Sequence, residues 1–527
     1  MKIYAYEALG YDGQLVTVEV DIRRGIPSLD IVGLPDGAVR EAGDRVRAAI
    51  RNSGYELPLD RILVNLAPAG LKKAGASFDL AIAGAVLAAS GQLAAPPRPV
   101  LMVGELELSG AVRGVAGVLP AVSLAKETGV LDWVVPSQNR REAGAIGGRV
   151  RPVSSLSELG DSLAAMRLDG EGGADYALPE PGESASEEEA GPVSFESGDL
   201  DEIRGQEGLK RALEIAAAGG HHILLFGPPG AGKTMAARCL PGLLPRLDEA
   251  HALAATKLHS LAGALPSGAG LIRWPPFRAP HHGASAEGIV GGGRLARPGE
   301  ISLAHGGVLF MDEATEFRGD IIQALREPLE DGRISIARAE RVIPYPSEFI
   351  LVLACNPCPC GNLGRDGAVC LCSYKDVRRY WKRLGGALLD RVDIRVPLAS
   401  LDPSSLSNET ALPRRWTRAS LAGRVRSARA IQRRRYAGKP WTLNARARPR
   451  SSDASFDGGF HLGIDRARRF DEATRSAGFS TRAVISALRL ARTIADLDGR
   501  AEIGDQDIEE AVSLRRYGDE DLFWDLP

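Results

Sequence analysis

Hydrophobic and polar positions alternate with two different periods in the first third of the chain. Leu15–Ile22 and Arg61–Leu66 alternate residue by residue, which is typical of strands with one buried face. Apolar residues in Val39–Ile50 and Leu80–Ala89 recur with helical spacing instead. The pattern therefore predicts a mixed α and β domain over residues 1–165.

The pattern changes twice further along the chain. Residues 200–400 alternate short apolar runs with amphipathic segments, which predicts parallel strands joined by helices. Residues 401–527 show helical spacing, and their last long helix is predicted to begin after Ser480 and to end before Gly499. The predicted fold class is therefore α/β with a helical C-terminal domain.

Composition separates the first domain from the rest. Residues 166–199 are rich in Gly, Pro and Ser, and the stretch 168–199 has ten acidic residues without any Lys or Arg. Such a segment cannot bury enough apolar surface to fold alone, which predicts a flexible acidic linker. The six cysteines are too few for a disulfide scaffold, and no long apolar run is free of charges. We therefore expect a cytoplasmic protein without a membrane partner.

Charge is distributed unevenly along the chain. The net charge of −2 argues against a nucleic-acid partner, but the chain without its acidic linker is net positive. Pro413–Arg450 has thirteen Lys or Arg residues and no acid. A tract of this kind is either an electrostatic footprint for a phosphate backbone or a solvated arginine-rich connector, and the sequence leaves both open.

The clearest motif follows the apolar run His222–Phe226 and precedes a helical segment. Its glycines let backbone N–H groups surround phosphate oxygens at a helix N-terminus. Lys233 is expected to meet the β- and γ-phosphates, and Thr234 is expected to hold Mg²⁺. We therefore expect ATP and Mg²⁺ as cofactors. The residues that match G-x-x-x-x-G-K-[ST] are Gly227, Pro228, Pro229, Gly230, Ala231, Gly232, Lys233 and Thr234.

Polar residues also end two later apolar runs. Asp312 and Glu313 follow Gly307–Met311; Asp312 is expected to hold Mg²⁺, and Glu313 is expected to polarise the attacking water. No acceptor pocket is evident, so the pattern favours hydrolysis over transfer to a hydroxyl. Asn356 ends the next run, where it either orients the water or the γ-phosphate or forms a turn before Pro357.

Four of the six cysteines form two C-x-C pairs. Four thiolates can close a tetrahedral zinc site, and the glycine-rich segment between the pairs can fold back on itself. C-x-C is less common than C-x₂-C in zinc sites, however. Bound zinc and free thiols therefore both remain open for Cys358, Cys360, Cys370 and Cys372.

These motifs, together with Leu389–Asp393 and Ser480–Arg482, resemble those of AAA+ ATPases. More specific phrases at Pro276–His282, Arg326–Gly332 and Asn356–Gly361 resemble the magnesium-chelatase-like AAA+ group and, within it, the YifB/ComM family. The resemblance covers almost the whole chain. It implies an AAA+ P-loop parallel-sheet core with a helical lid. It also implies a preceding α+β domain that is similar to the Lon-protease-like, ribosomal S5 domain 2-like fold.

The resemblance further implies a ring, usually a homo-hexamer, in which an arginine of one subunit reaches the nucleotide of its neighbour. By motif, Arg391 matches this arginine finger, and Arg482 matches the second sensor arginine. The lid can be displaced in this group, so Arg482 is expected to act on either its own nucleotide or the adjacent one. A surface salt bridge is the alternative interpretation of each arginine.

Two segments are candidates for the ring pore, because the family carries an insert between the phosphate loop and Asp312. Arg333–Ile343 is predicted to be a β-hairpin with Arg338 and Arg341 at its basic tip. In the insert, aromatic rings interleave with charges, a mixture that suits stacking on bases and pairing with phosphates. Packing against the next subunit is the alternative for both segments. The insert residues concerned are Arg273, Trp274, Phe277, Arg278, His281 and His282.

The N-terminal domain is expected to lack protease activity. Ser77 lies near the position of the nucleophile in the Lon-like motif, but Leu119 stands about where that motif needs a lysine. A serine without a base is a poor nucleophile. We therefore expect this domain to be a scaffold for DNA or for ring assembly.

The leading hypothesis is an ATP-driven ring motor that acts on single-stranded or branched DNA. By resemblance, it would drive branch migration or unwinding when incoming DNA recombines with the chromosome during natural transformation. The alternative is a motor subunit of the magnesium-chelatase type or a protein remodeller. An ATP-dependent protease is disfavoured by Leu119.

Overall fold

The computed structural model describes residues 2–168, 198, 200, 203, 205–293, 296–338, 341–365, 367–399, 414–449 and 459–517. The predicted acidic linker over 166–199 therefore lies almost entirely outside the described residues. Within the described ranges, no helix is long and apolar enough to span a membrane.

The first domain comprises residues 2–168 and contains both strands and helices. Its strands are β1 (Ile3–Leu9), β2 (Asp12–Arg23), β3 (Ser28–Val32), β4 (Arg61–Ala67), β5 (Val100–Met102), β6 (Glu105–Leu106), β7 (Val112–Arg113), β8 (Asp132–Pro136) and β9 (Arg149–Val153). Its helices are α1 (Gly37–Asn52), α2 (Asp79–Ala89), α3 (Val118–Glu127), α4 (Arg140–Gly144) and α5 (Leu159–Leu168).

Seven of the strands described for this domain form one mixed sheet in the order β3-β4-β2-β1-β5-β8-β9. The predicted strands are confirmed within β2 and β4, and the predicted helices within α1 and α2. Helix α1 begins where the Asp36 carboxylate accepts a hydrogen bond of 2.9 Å from the Val39 N–H. Helix α2 is apolar on all sides, which fits its burial between the sheet and α1.

The second domain contains the phosphate-loop motif. Its strands are β10 (Ile223–Phe226), β11 (Phe277–Arg278), β12 (Gly291–Gly292), β13 (Arg297–Pro298), β14 (Val308–Met311), β15 (Arg333–Arg338), β16 (Arg341–Pro346), β17 (Ile350–Cys355) and β18 (Ile394–Pro397). Its helices are α6 (Glu207–Gly219), α7 (Lys233–Cys239), α8 (Glu249–Ala262), α9 (Ala286–Val290), α10 (Glu300–Leu303), α11 (Gly319–Ala324), α12 (Arg326–Asp331), α13 (Tyr374–Lys382) and α14 (Gly386–Leu389).

The core of this domain is a parallel sheet, in which five of the described strands follow the order β11-β14-β17-β10-β18. Its three central strands, β10, β14 and β17, are buried along their whole length. Parallel strands place all their carboxyl ends at one edge of the sheet, which is where ligands bind in open α/β folds. The hairpin is confirmed as β15 and β16, although residues 339–340 and the side chains of Arg338 and Arg341 lie outside the described residues.

The C-terminal part is helical, as predicted. Its main helices pack on α6 and on one another, and Ser480 caps the third of them by accepting a hydrogen bond of 3.2 Å from the Ala483 N–H. Gly499 follows that helix with a left-handed backbone, φ 70°. The described helices are α15 (Arg418–Arg435), α16 (Ile464–Ser476), α17 (Thr481–Leu497) and α18 (Asp505–Arg515).

Several arginines of the acid-free tract hold the lid onto the core. Arg424 pairs with the buried Glu214 of α6 at 2.6 Å, and Arg429 donates to the Ala217 carbonyl at 2.8 Å. Arg435 makes a two-pronged pair with the buried Asp496 of another lid helix, which holds the lid together. The partners of these arginines all lie outside the acid-free tract. Part of it is therefore a docking surface within the chain.

The first domain contacts the second through α8. The Ser260 hydroxyl donates to the Glu142 carboxylate at 2.5 Å, and the Gly117 N–H donates to the Ser260 carbonyl at 3.1 Å. Further along, the Gly268 N–H donates to the Gln138 carbonyl at 3.0 Å. The segment after α8 thus packs against the first domain in this chain.

Candidate nucleotide site

The phosphate loop connects β10 to α7, as the motif predicts. Gly230 and Gly232 have positive φ values of 83° and 85°, a backbone that other residues rarely adopt. Helix α7 begins at Lys233, so its unpaired N–H groups face the loop. The loop therefore has the backbone shape that a phosphate chain requires.

Lys233 lies across this loop. Its Nζ donates to the Gly227 carbonyl at 2.6 Å, to the Pro228 carbonyl at 3.0 Å and to Asn356 Oδ1 at 3.2 Å. Burial lowers the pKa of Lys233, and the nearby charges of Asp312 and Glu313 oppose that shift. Phosphate oxygens would oppose the shift further, because an anion stabilises the charged ammonium.

The two predicted magnesium ligands lie beside each other. The Thr234 hydroxyl donates to Asp312 Oδ2 at 2.9 Å, although the two residues are far apart in the sequence. They meet because Thr234 starts α7 and Asp312 follows β14, both at the carboxyl edge of the sheet. A hydroxyl and a carboxylate are hard oxygen ligands of the kind that Mg²⁺ prefers.

Glu313 is exposed at the same edge and has a left-handed backbone with φ 49°. Its Oε2 lies 3.3 Å from His282 Nδ1. His282 follows the edge strand β11, so the sheet brings it to the end of β14. The sequence predicts this histidine in a pore insert. The two-residue strand before it leaves no periodicity in the sequence that could have indicated its place beside Glu313.

Asn356 follows β17 at the centre of the sheet, and its side chain contacts Lys233. The adjacent Cys355 is fully buried, and burial raises its pKa to about 12. Cys355 is therefore a neutral core residue, whereas Asn356 presents an amide to the phosphate loop. The sheet thus brings Lys233, Asp312 and Asn356 together from three strand ends.

Arg391 and Arg482 lie together, but away from the phosphate loop. Both guanidinium groups pair with the Glu330 carboxylate, Arg482 at 2.6 Å. Arg391 precedes β18, so it lies at the amino edge of the sheet. A strand rises about 3.3 Å per residue, so the four residues of β18 separate this edge from the phosphate loop by about 13 Å.

The predicted pore insert differs from the structure at Phe277 and Arg278. These residues form β11, the edge strand that pairs with β14, and Phe277 stacks on Phe310 with ring centroids 6.0 Å apart. Arg278 makes two hydrogen bonds of 2.5 Å to Glu300. Both residues are therefore packed within the subunit. Trp274 is also packed, with the Arg246 guanidinium 5.0 Å from its ring, whereas Arg273 and His281 are exposed.

The four clustered cysteines converge next to the nucleotide site. Their sulfur atoms all lie within 4.8 Å of one another. Cys358 Sγ is 3.4 Å from Cys360 Sγ and 3.6 Å from Cys370 Sγ. A zinc ion with Zn–S bonds of about 2.3 Å in a tetrahedron holds its sulfurs about 3.8 Å apart. A disulfide requires about 2.05 Å, so the arrangement fits a metal better than cystine.

The structure describes the surroundings of Ser77 and Leu119 in the first domain. Ser77 lines a cavity between the first and second domains, together with Glu7 and Tyr6. Burial raises the pKa of Glu7 to about 7. Leu119 is fully buried in α3, where the ammonium group of a lysine would have no access to water.

Three family models match consecutive parts of the chain. They are described as subunit ChlI of Mg-chelatase over residues 18–139, magnesium chelatase, subunit ChlI over 199–406, and magnesium chelatase, subunit ChlI C-terminal over 416–515. Together they account for both domains and the helical lid.

Curated relatives match over almost the full length. The YifB protein of Escherichia coli (strain K12) is 41% identical over 97% of this chain and 96% of its own length. The competence protein ComM of Haemophilus influenzae is 39% identical over 97% of each chain. A magnesium-chelatase 38 kDa subunit of Rhodobacter capsulatus is 28% identical over only 29% of this chain and 49% of its own.

Proposed function

The chain belongs to the YifB/ComM family of magnesium-chelatase-like AAA+ proteins, and from this premise we propose that it is an ATP-hydrolysing ring motor that acts on DNA. The observation that carries the ATPase part is the meeting of Lys233, Thr234, Asp312 and Asn356 at one edge of a parallel sheet. These side chains supply a phosphate counter-ion, two magnesium ligands and a polar sensor.

In this proposal each residue has a separate task. The phosphate loop and Lys233 bind the β- and γ-phosphates. Thr234 and Asp312 would hold Mg²⁺, which would supply neutralisation of the phosphate charge. Glu313 polarises the attacking water, and Asn356 orients that water or the γ-phosphate. His282 holds the Glu313 carboxylate in place through the contact of 3.3 Å.

Two variants test the hydrolytic assignment. Lys233→Ala should abolish ATP binding, because the phosphates lose their main counter-ion. Glu313→Gln should bind ATP normally and lower turnover by about 10²- to 10⁴-fold, because the water loses its base. Fluorescent ATP analogues report the binding, and phosphate release reports the turnover. Wild-type turnover by Glu313→Gln would remove the proposed base.

We propose that Arg391 and Arg482 act together on the nucleotide of the neighbouring subunit. Their shared contact with Glu330 and their distance from the chain's own phosphate loop support this arrangement. Action on a neighbouring nucleotide at every site requires a closed ring of subunits. We propose that this ring is a homo-hexamer. In that ring the amino edge of one sheet faces the carboxyl edge of the next.

DNA is the proposed substrate, and branch migration or unwinding is the proposed work. The support is the full-length similarity to a competence protein and the exposed arginines of α15, among them Arg426, Arg433 and Arg434. The second candidate is a chelatase-type motor or a protein remodeller. The similarity to the magnesium-chelatase subunit favours it, but that similarity covers less than a third of this chain.

For the N-terminal domain we propose a Lon-like scaffold without protease activity, since a buried leucine stands at position 119. We also propose that zinc is the metal of the four cysteines, because their sulfur spacing suits tetrahedral thiolate ligation. Metal analysis of freshly purified protein should find about one zinc per chain.

A further inference from the structure

The cysteine loop, defined as residues 357–373, has little of its own to hold it in shape. Its described residues form neither a helix nor a strand. Val369 and Leu371 are 75% and 90% exposed, whereas Cys358 is fully buried. Ordering such a segment costs conformational entropy that exposed side chains cannot offset. The convergence of four sulfurs is the feature of this loop that can supply the missing stabilisation.

The same loop lies directly against the nucleotide site. It begins at Pro357, next to Asn356, whose Oδ1 accepts a hydrogen bond from Lys233. Gly361 packs on the phosphate loop so closely that a Cβ atom there would come within 3.1 Å of the Pro229 ring. A change in the cysteine loop would therefore reach the polar sensor, which adjoins it in the chain, whereas its contact with the phosphate loop is limited to the Pro229 ring.

The start of the cysteine loop is also held by Trp381, which lies in the helix that follows the loop. The Trp381 indole N–H donates to the Pro357 carbonyl at 3.1 Å, and its ring packs edge-on against Phe226 at 5.7 Å. The backbone N–H of Leu363 donates to Cys358 Sγ at 3.4 Å. Through Trp381, the start of the cysteine loop is tied to Phe226, the last residue of β10 before the phosphate loop.

We infer that metal bound by Cys358, Cys360, Cys370 and Cys372 positions Asn356, so that metal occupancy controls the rate of ATP hydrolysis rather than ATP affinity. The inference rests on the proposed ATPase function and on the proposed zinc. The rate of hydrolysis can change without a change in ATP affinity because the groups that bind ATP and Mg²⁺ lie on other elements. Lys233 and Thr234 belong to α7 and Asp312 follows β14, whereas Asn356 adjoins the cysteine loop.

The chain offers a matched pair of variants for the test. Cys372→Ser removes one proposed ligand, and Leu371→Ser introduces the same residue at the exposed position beside it without removing a sulfur. Both are made in the full-length protein. The measurements are zinc content, affinity for a fluorescent ATP analogue and the turnover number for ATP. Cobalt-loaded wild type adds a spectroscopic signature, because tetrahedral Co²⁺–thiolate sites absorb strongly in the visible and near-ultraviolet.

We expect Leu371→Ser to keep its zinc and its turnover. Cys372→Ser should lose zinc and hydrolyse ATP about 10²-fold more slowly, the loss typical of one misplaced polar group at a reacting centre. Its affinity for the analogue should stay within about twofold, because the charged phosphate contacts remain. Removing zinc from wild type with a chelator should likewise lower the turnover and leave the affinity for the analogue unchanged. Restoring zinc should restore the turnover.

The outcomes separate this inference from the proposed function. If zinc-free protein hydrolyses ATP at the wild-type rate, or if freshly purified protein holds no metal, the inference is wrong and the ATPase assignment stands. If zinc loss abolishes ATP affinity as well, the loop supports the whole fold rather than the sensor, and the inference is again wrong. A zinc-loaded wild type that binds ATP without hydrolysing it would contradict the proposed function itself.

Discussion

At the scale of single residues, the environment of Glu313 explains how a carboxylate could be held ready for catalysis. Its backbone is left-handed, which costs a non-glycine residue energy and so needs support from its surroundings. The His282 ring at 3.3 Å gives the carboxylate a partner, and Phe317 lies edge-on to that ring at 6.4 Å. The orientation of the base thus depends on residues that bind no phosphate.

This arrangement predicts the effect of removing His282. His282→Ala should lower ATP turnover by about tenfold, less than the 10²- to 10⁴-fold that a lost base costs, with little change in ATP affinity. His461→Ala is the control, because His461 is an exposed histidine of the C-terminal part. Steady-state turnover and analogue binding would be compared side by side. Equal turnover in the two variants would contradict the positioning role.

At the scale of elements, α15 joins the lid to the core while also exposing charge. Arg435 is largely buried and pairs with Asp496 of α17, which Arg492 also contacts. Arg434 is exposed and contacts the Ala430 carbonyl of its own helix. Neighbouring arginines of one tract therefore have different roles, which the composition of the tract does not reveal.

The two neighbours should respond differently to the same substitution. Arg435→Gln should lower the free energy of unfolding by about 3 kcal/mol, because a buried carboxylate loses one of its two arginine partners. Arg434→Gln should change it by less than about 0.5 kcal/mol, as surface substitutions usually do. Denaturant titration of both proteins measures the difference. Equal stabilities would mean that the lid does not depend on this pair.

The start of α8 carries a pH-dependent contact. The Glu348 carboxylate, 3.6 Å away, and the hydrogen-bonded Asp248 carboxylate raise the pKa of His251 to about 9, from 6.5. Nearby Arg446 and the stacked, neutral His305 do not reverse this shift. A raised pKa in the folded state contributes stability that is complete below pH 6.5 and is lost as the pH rises through about 9.

We therefore expect His251→Asn to destabilise the protein at pH 6.5 and to matter progressively less up to pH 9. The measurement is the difference in free energy of unfolding between wild type and variant across this range. His461→Asn is the control, because His461 is exposed on the surface. A difference that stays constant with pH would show that His251 is neutral in the folded protein.

The sequence predicted those parts of the site that depend on contiguous residues or on strand ends. The phosphate loop is one unbroken motif. Asp312 and Asn356 follow strands of the same predicted parallel sheet, so the fold class alone predicts that they lie near this loop. Phe277 and Arg278 were misplaced because a strand of two residues is too short for any periodicity. The ion pair between Arg435 and Asp496 could not be predicted, because the two residues lie 61 positions apart in the sequence. Long-range ion pairs follow from packing, which local patterns do not encode.

At the scale of the whole molecule, the two edges of the parallel sheet carry complementary groups. The carboxyl edge presents the phosphate loop, and the amino edge presents Arg391 and Arg482 on Glu330. Stacking subunits edge to edge in a ring would complete each nucleotide site with the neighbour's arginines. The ring is therefore expected to be the active form.

Mixing subunits tests this arrangement. Arg391→Ala should lower turnover by about 10³- to 10⁵-fold, as for arginine fingers in other phosphoryl-transfer enzymes. Lys233→Ala should be inactive for a different reason. Mixed rings should regain part of the activity, because a Lys233→Ala subunit can lend its intact Arg391 to a neighbour with an intact phosphate loop. Activity that stays at the level of the two separate variants would place the arginine at its own nucleotide.

The central claim is that ATP hydrolysis by the assembled ring drives work on DNA. Its most direct test is the ATP turnover of the full-length protein with single-stranded, duplex or branched DNA, titrated at increasing salt. We predict stimulation, strongest with branched DNA, and an apparent DNA affinity that falls about 10³-fold between about 50 and 200 mM salt if about six phosphates are neutralised. Turnover that no DNA stimulates at any salt concentration would contradict the claim and favour a chelatase-type or protein-remodelling motor.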